Sequence, residues 1–148
     1  MMKRILILAS IAVIGISTLF SSCFKQTDYQ PSMAGTIDSI GFSASGTGIN
    51  ARLNGDTLFL TGTTKIFTPG TAFNPAIKIM VIKSIGSHTI NNDASAVVYT
   101  SASGNAGSPA VSGQITVLNN ASGKIQGNFN FTAADGTNVT NGQFTCNP

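Results

Sequence analysis

The segment from residue 124 to residue 133 restricts the fold of this chain most strongly, because its apolar and polar residues alternate one by one. The first set consists of Ile125, Gly127, Phe129, Phe131 and Ala133. The positions between them hold Lys124, Gln126, Asn128, Asn130 and Thr132. Successive side chains of a β-strand point to opposite faces, whereas a helix would mix the two sets. The segment therefore predicts a strand with one face in an apolar core.

Shorter runs of the same kind occur along the chain and are separated by Gly, Asn and Asp. They predict further strands at residues 40–44, 49–53, 57–63, 76–84, 97–101, 114–118 and 142–146. No long helical period appears. The pattern predicts an all-β fold, either an antiparallel β-sandwich or a closed barrel of about eight strands.

Three details of this prediction depend on local composition. Residues 76–84 are apolar on both faces, which predicts a central strand covered on both sides or a strand at a contact between sheets. Residues 119–123 are predicted to form a hairpin loop. Residues 68–75 and 101–108 are rich in Pro, Gly and Ser and are predicted to be loops.

The first 22 residues have the composition of a secretory signal peptide. Lys3 and Arg4 precede an uncharged stretch from residue 5 to residue 20, and small residues follow it. The apolar stretch is shorter than the roughly 20 residues that a transmembrane helix needs. We therefore predict a signal peptide at 1–22, a flexible polar tether at 23–32 and a single β domain at 33–148.

The end of this signal resembles the lipobox of bacterial lipoproteins. Phe20-Ser21-Ser22-Cys23 has the apolar residue, the two small residues and the Cys of that motif. The resemblance implies cleavage before Cys23, lipidation of Cys23 and anchoring of the chain to a membrane. Phe24 is not the Asp that marks inner-membrane retention, which implies the outer membrane and leaves the leaflet open. The alternative is an ordinary secreted protein in which Cys23 is a thiol.

The rest of the chain resembles the single β domain of unknown function that occurs in small Bacteroidota lipoproteins. The similar segments are residues 33–44, 57–63, 77–79, 85–90, 112–117, 125–131 and 141–145. The chain departs from that pattern at His88, where a Tyr is expected, and at Cys146, near a terminus that usually has no Cys. The resemblance implies an all-β fold and a location in the cell envelope, and it implies no activity.

The charge of the chain excludes one class of partner. Lys3 and Arg4 belong to the signal, so the mature chain keeps six basic and five acidic residues, a net charge of +1. This balance predicts no nucleic-acid binding. The clusters at residues 54–56 and 91–93 lack the spacing of a calcium loop, so they are interpreted as loop caps. The sequence predicts neither a metal site nor a cofactor.

The side chains suited to catalysis are few. His88 is the only imidazole, and no Gly-x-Ser-x-Gly motif accompanies it. We interpret His88 as structural or surface-exposed and predict that the chain is not an enzyme. Cys146 is predicted to be a small buried apolar residue on the face of Phe144, with an intermolecular disulfide as the alternative.

Two short motifs resemble the acceptor of periplasmic O-glycosylation in Bacteroidota. They are Asp38-Ser39-Ile40 and Asp56-Thr57-Leu58, in which an aliphatic residue follows Asp and a hydroxyl residue. The resemblance implies Ser39 and Thr57 as candidate modification sites. Thr57 is the stronger candidate because it adjoins a predicted turn.

These observations predict an envelope lipoprotein whose β domain binds or scaffolds without catalysis. One alternative is a glycan-binding module, which an exposed aromatic row would favour. The other is a lipocalin-like carrier, which an apolar cavity inside a closed barrel would favour. The protein is expected to attach to the membrane through Cys23. The sequence does not specify whether it also has a protein or a glycan partner.

Overall fold

The computed structural model describes residues 30–64, 66–68, 71–100 and 107–148. Within these ranges the chain forms strands and one short 3₁₀ helix, Gly46–Gly48, which confirms the predicted all-β class. The strands are β1 (Ser32–Ile37), β2 (Ile40–Ser45), β3 (Ile49–Asn54), β4 (Thr57–Thr63), β5 (Ile66–Thr68), β6 (Thr71–Phe73), β7 (Ala76–Ile82), β8 (Gly86–Thr89), β9 (Ala94–Tyr99), β10 (Gly107–Ala121), β11 (Lys124–Ala133) and β12 (Asn138–Cys146). The predicted signal peptide, Cys23 and most of the predicted tether lie outside the described residues.

Ten of these strands form one antiparallel sheet that curls into a nearly closed barrel. Its order is β2-β1-β12-β11-β10-β9-β7-β4-β3, and β8 pairs with β10 beside β9. The end strands β2 and β3 follow each other in the chain through the 3₁₀ helix, and both β2 and that helix contact β4. Of the two predicted architectures, the barrel therefore describes the fold. β5 and β6 form a separate hairpin.

The long strand β10 joins the two halves of the barrel. Its first residues pair with β9, and residues 114–117 pair with β8. Between these stretches lies Gly113 with φ 133, a conformation that side chains rarely adopt. A Cβ at Gly113 would also lie 2.3 Å from the carbonyl oxygen of Asn130. Glycine is therefore needed where β10 presses against β11.

Aromatic rings and glycines fill the interior together. Phe129 lies between Phe131 and Phe144, with ring centroids at 6.3 Å and 6.4 Å. A Cβ at Gly127 would approach the Phe144 ring to 2.5 Å, and one at Gly142 would approach the Phe129 ring to 2.4 Å. The glycines thus leave the space that the rings occupy.

The predicted strands at 57–63 and 124–133 coincide with β4 and β11, and the other strands differ from their predicted bounds. β10 continues to Ala121, so the predicted five-residue loop is a two-residue turn at Ser122 and Gly123, with φ 55 and 74. β9 and β12 both begin earlier than predicted. β5 and β6 occupy half of the region 68–75, which was predicted as a Pro-bounded loop. The short strands were missed because three or four residues show too little alternation.

The predicted covering of residues 76–84 on both faces is wrong. Ile77, Ile79 and Val81 of β7 are buried inside the barrel, as expected for one face. Met80 and Ile82, on the other face, are each 38% exposed. A curled sheet encloses only one of its two faces, so the outer apolar residues of β7 contact solvent.

The interior packing predicts different costs on the two faces of β11. Phe129 is buried, whereas Asn128 is exposed. Phe129→Ala should lower the free energy of unfolding by about 3–5 kcal/mol, and Asn128→Ala should lower it far less. Urea unfolding measures both. Equal losses would contradict the assignment of the two faces.

A second prediction concerns the glycines below the rings. Gly127→Ala places a methyl group against Phe144 and against the Thr116 carbonyl, so it should destabilise the fold by about 1–3 kcal/mol or more. Gly41→Ala is the control, because a Cβ at Gly41 meets nothing within 4 Å. Thermal unfolding of both variants tests the contrast. An unchanged thermal unfolding midpoint for Gly127→Ala would show that the interior accommodates an added methyl group, and it would contradict the close packing of Gly127 against the Phe144 ring.

Candidate functional site

The outer faces of β3, β4, β7 and β9 form an open groove of about 270 Å³. The register of the strands places one row of side chains across it. Arg52 lies opposite Phe59, Phe59 opposite Met80, and Met80 opposite Ser95. These side chains are brought together from four strands. Phe59, Met80 and Ser95 point outward because they alternate with buried neighbours, and Arg52 lies opposite Phe59 on the same face.

A second row lies beside the first. Asn50 is opposite Thr61, Thr61 is opposite Lys78, and Lys78 is opposite Val97. Most of these side chains also line the groove. The groove therefore combines neutral hydrogen-bonding groups with an apolar floor.

Both cations of the groove are held against aromatic rings. The guanidinium carbon of Arg52 lies 4.4 Å from the centre of the Phe59 ring. The ammonium of Lys78 lies 4.6 Å from the centre of the Tyr99 ring and donates a hydrogen bond to its hydroxyl at 3.1 Å. Such contacts attract a cation to the ring without neutralising its charge.

The acidic side chains of the described residues have partners outside the groove. Asp56 pairs with Lys83 at 3.0 Å, and Asp93 pairs with His88. Asp38 and Asp135 accept hydrogen bonds from the backbone, from the N–H groups of Asn138 and Thr137. Among the residues that the structure describes, no carboxylate forms an ion pair with Arg52 or Lys78.

A second cluster surrounds His88, which is buried on β8. Its Nδ1 lies 2.8 Å from Oδ2 of Asp93, and its Nε2 lies 2.9 Å from the carbonyl oxygen of Ser84. The hydrogen bond from His88 is the main cause that holds the pKa of the Asp93 carboxyl below its usual value. The imidazole therefore ties the segment after β7 to the turn before β9.

This arrangement leaves His88 without a ring nitrogen directed at a ligand. Both partner oxygens are acceptors, and a protonated imidazole can donate to both. Ser84 contributes its carbonyl to this contact rather than its hydroxyl. The contacts favour the structural interpretation of His88, while the absence of an activity stays a prediction.

The residues singled out as possible modification or redox sites are separated in space. Ser39 is exposed in the turn between β1 and β2, where its φ is 79, and Thr57 is half-buried at the start of β4. Cys146 is fully buried on the face of Phe144, as predicted, and burial raises the pKa of its thiol to about 11. A thiol enclosed in this way cannot meet a second chain without local unfolding.

Metal-ligating side chains do not gather in the part of the chain that the structure describes. There, no group of three or more His, Cys, Asp or Glu side chains could hold an ion. Asn91, from one of the clusters interpreted as loop caps, donates from its side-chain amide to the Val111 carbonyl at 3.1 Å. Its φ is 69, which fits a turn.

The residues of the groove were not identified from the sequence. Arg52, Phe59 and Lys78 each occupy an outward position of a predicted strand. Their meeting depends on which strands are neighbours and in which register, and a single sequence does not specify either. The one signal in the sequence is that aromatic and basic residues occupy outward positions of neighbouring predicted strands.

Comparison of the chain with models of known families, with curated proteins and with solved structures gave no match. Within the described ranges, no helix has the length and apolarity needed to cross a membrane. The function must therefore be inferred from the residues themselves.

The His88 cluster predicts a stability effect. His88→Gln cannot keep both hydrogen bonds of the imidazole, so it should lower the free energy of unfolding by about 1–3 kcal/mol. Urea unfolding at neutral pH measures the loss. A variant as stable as the wild type would contradict the bridging role of the ring.

The same cluster predicts a pH dependence. Because its pKa is lowered in the folded state, ionised Asp93 stabilises the fold above the ordinary pKa of about 3.9, and this contribution disappears as the pH falls through the lowered value. The stability advantage of the wild type over Asp93→Asn, measured by urea unfolding at a series of pH values, should therefore shrink as the pH falls from about 5 through the lowered pKa of Asp93. Asp135, whose pKa is also lowered, is present in both the wild type and Asp93→Asn, so its contribution cancels in the difference between their unfolding free energies. A constant difference over this range would contradict the assignment.

Proposed function

We propose that this chain is a lipid-anchored protein of the cell envelope, held in the outer membrane through Cys23. Its barrel is a non-catalytic binding domain that uses the outer groove of β3, β4, β7 and β9. The motif Phe20-Ser21-Ser22-Cys23 and the polar stretch after it support the anchor. More than one acyl chain on Cys23 would give stable attachment, since each buried CH₂ contributes about 0.8 kcal/mol.

One observation carries the binding proposal: the groove holds two cations that no described carboxylate pairs with. Arg52 and Lys78 are both exposed, and aromatic rings fix their positions. Fixed charge that is left unpaired on a surface attracts a ligand of opposite charge.

The interior is less suited to a ligand than this groove. A lipocalin-like carrier needs apolar volume inside the barrel, and the rings of Phe129, Phe131 and Phe144 occupy that position. Phe59 is the one aromatic residue among the described lining residues, so the neutral polar side chains of Asn50, Thr61 and Ser95 are what favours the glycan-binding alternative over the carrier. The engagement of both nitrogens of His88 supports a domain without hydrolytic chemistry.

The anchor is tested by Cys23→Ser in cells that produce the full chain. The variant should lose labelling by palmitate, and its barrel should leave the membrane fraction or accumulate as an uncleaved precursor. The wild type should label and stay in the membrane. Unlabelled wild type together with unchanged membrane retention of the variant would refute lipidation.

The binding face is tested by photocross-linking in the same cells. A photoreactive residue at Met80, in the groove, should cross-link to an envelope component. The matched position is Leu118, which is also exposed but lies on β10 outside the groove. Cross-linking from Leu118 and not from Met80, or from neither, would contradict the groove as the binding face.

A further inference from the structure

We infer that the groove binds an acidic sugar, meaning a saccharide unit that carries a carboxylate or a phosphate. This inference rests on the proposed function and specifies its ligand. Three properties of the groove support it, namely its charge, its neutral polar groups and its size.

The charge of the groove selects an anion. Arg52 and Lys78 lie on strands separated by β4 and are offset by two residues in register, so their backbones are roughly 12 Å apart. The guanidinium offers a planar fork that matches a carboxylate or phosphate, and the ammonium acts as a point charge. No acidic side chain is among the described lining residues, so nothing there opposes an anion.

The remaining lining groups select a sugar over a bare anion. Asn50, Thr61 and Ser95 can exchange hydrogen bonds with hydroxyl groups. Met80 adds apolar surface, which suits the C–H face of a sugar ring, and the face of the Phe59 ring holds Arg52. An inorganic anion has no apolar surface that could pack against this floor.

The size of the groove suits a short part of a longer saccharide chain. A volume of about 270 Å³ lies near the lower end of pockets that hold small molecules. Because the groove lies open on an outer face, a polymer can continue beyond it. This geometry suits a glycan from which one or two units are recognised.

Isothermal titration calorimetry of the full chain in uncharged detergent micelles tests the inference. The probes are a galacturonic acid tetramer, glucose 6-phosphate and the neutral cellotetraose. At low salt, at least one of the two acidic sugars should bind, and cellotetraose should bind at least about tenfold more weakly. Which acidic sugar binds more tightly identifies carboxylate or phosphate as the preferred group. Added salt should weaken binding.

Variants connect the binding to the groove. Arg52→Gln and Lys78→Gln should each raise the Kd of the acidic sugar about tenfold. Lys78→Arg keeps the charge and should retain most of the affinity. Lys83→Gln removes an equal charge from the Asp56 pair outside the groove and should leave the Kd unchanged.

Several outcomes would overturn the inference. They are equal affinity for cellotetraose, no binding of either acidic sugar, and acidic-sugar binding that survives both Gln substitutions. If no sugar binds while vesicles containing phosphatidylglycerol bind through Arg52 and Lys78, the groove faces a lipid surface instead. Persistent cross-linking from Met80 without sugar binding would leave the proposed binding domain in place and refute only the acidic sugar.

Discussion

The packing of phenylalanine rings against glycines inside the barrel is the interaction on which the rest of the structure depends. Gly127 and Gly142 leave space that the rings of Phe144 and Phe129 fill. An added methyl group at either glycine would overlap a ring, so the positions of β11 and β12 are fixed relative to each other. Close packing of this kind leaves little interior volume. A ligand of the proposed binding domain would then contact the outer surface of the barrel.

The charged groove on the outer surface results from the scarcity of acidic side chains among the described residues. The acids of the described residues are used in turns, in a surface pair and in the His88 cluster, where each stabilises a local feature. Arg52 and Lys78 find aromatic rings instead of carboxylates. Their charge stays available, and the alternation of the strands aims it outward. The alternation that places the phenylalanines on the inner face of the sheet thus also places the groove residues on its outer face.

The sequence predicted the features that depend on neighbours along one strand. The alternation at 124–133 gave the bounds of β11 and its buried face, and it placed Cys146 on the face of Phe144. Features that depend on strand pairing could not be predicted from the sequence. The outer face of β7 looked buried because Met80 and Ile82 are apolar, and only the curl of the sheet decides that it is exposed. The contacts of Arg52 with Phe59 and of Lys78 with Tyr99 require strand neighbours and register, which local composition does not contain.

Xenon binding to crystals of the protein tests most directly the claim that side chains fill the barrel. Xenon enters apolar cavities and is located by its anomalous scattering. The account predicts no ordered xenon among Phe129, Phe131 and Phe144. A well-occupied xenon site there would reveal an apolar cavity, and it would contradict both the filled interior and the proposal that ligands bind outside the barrel.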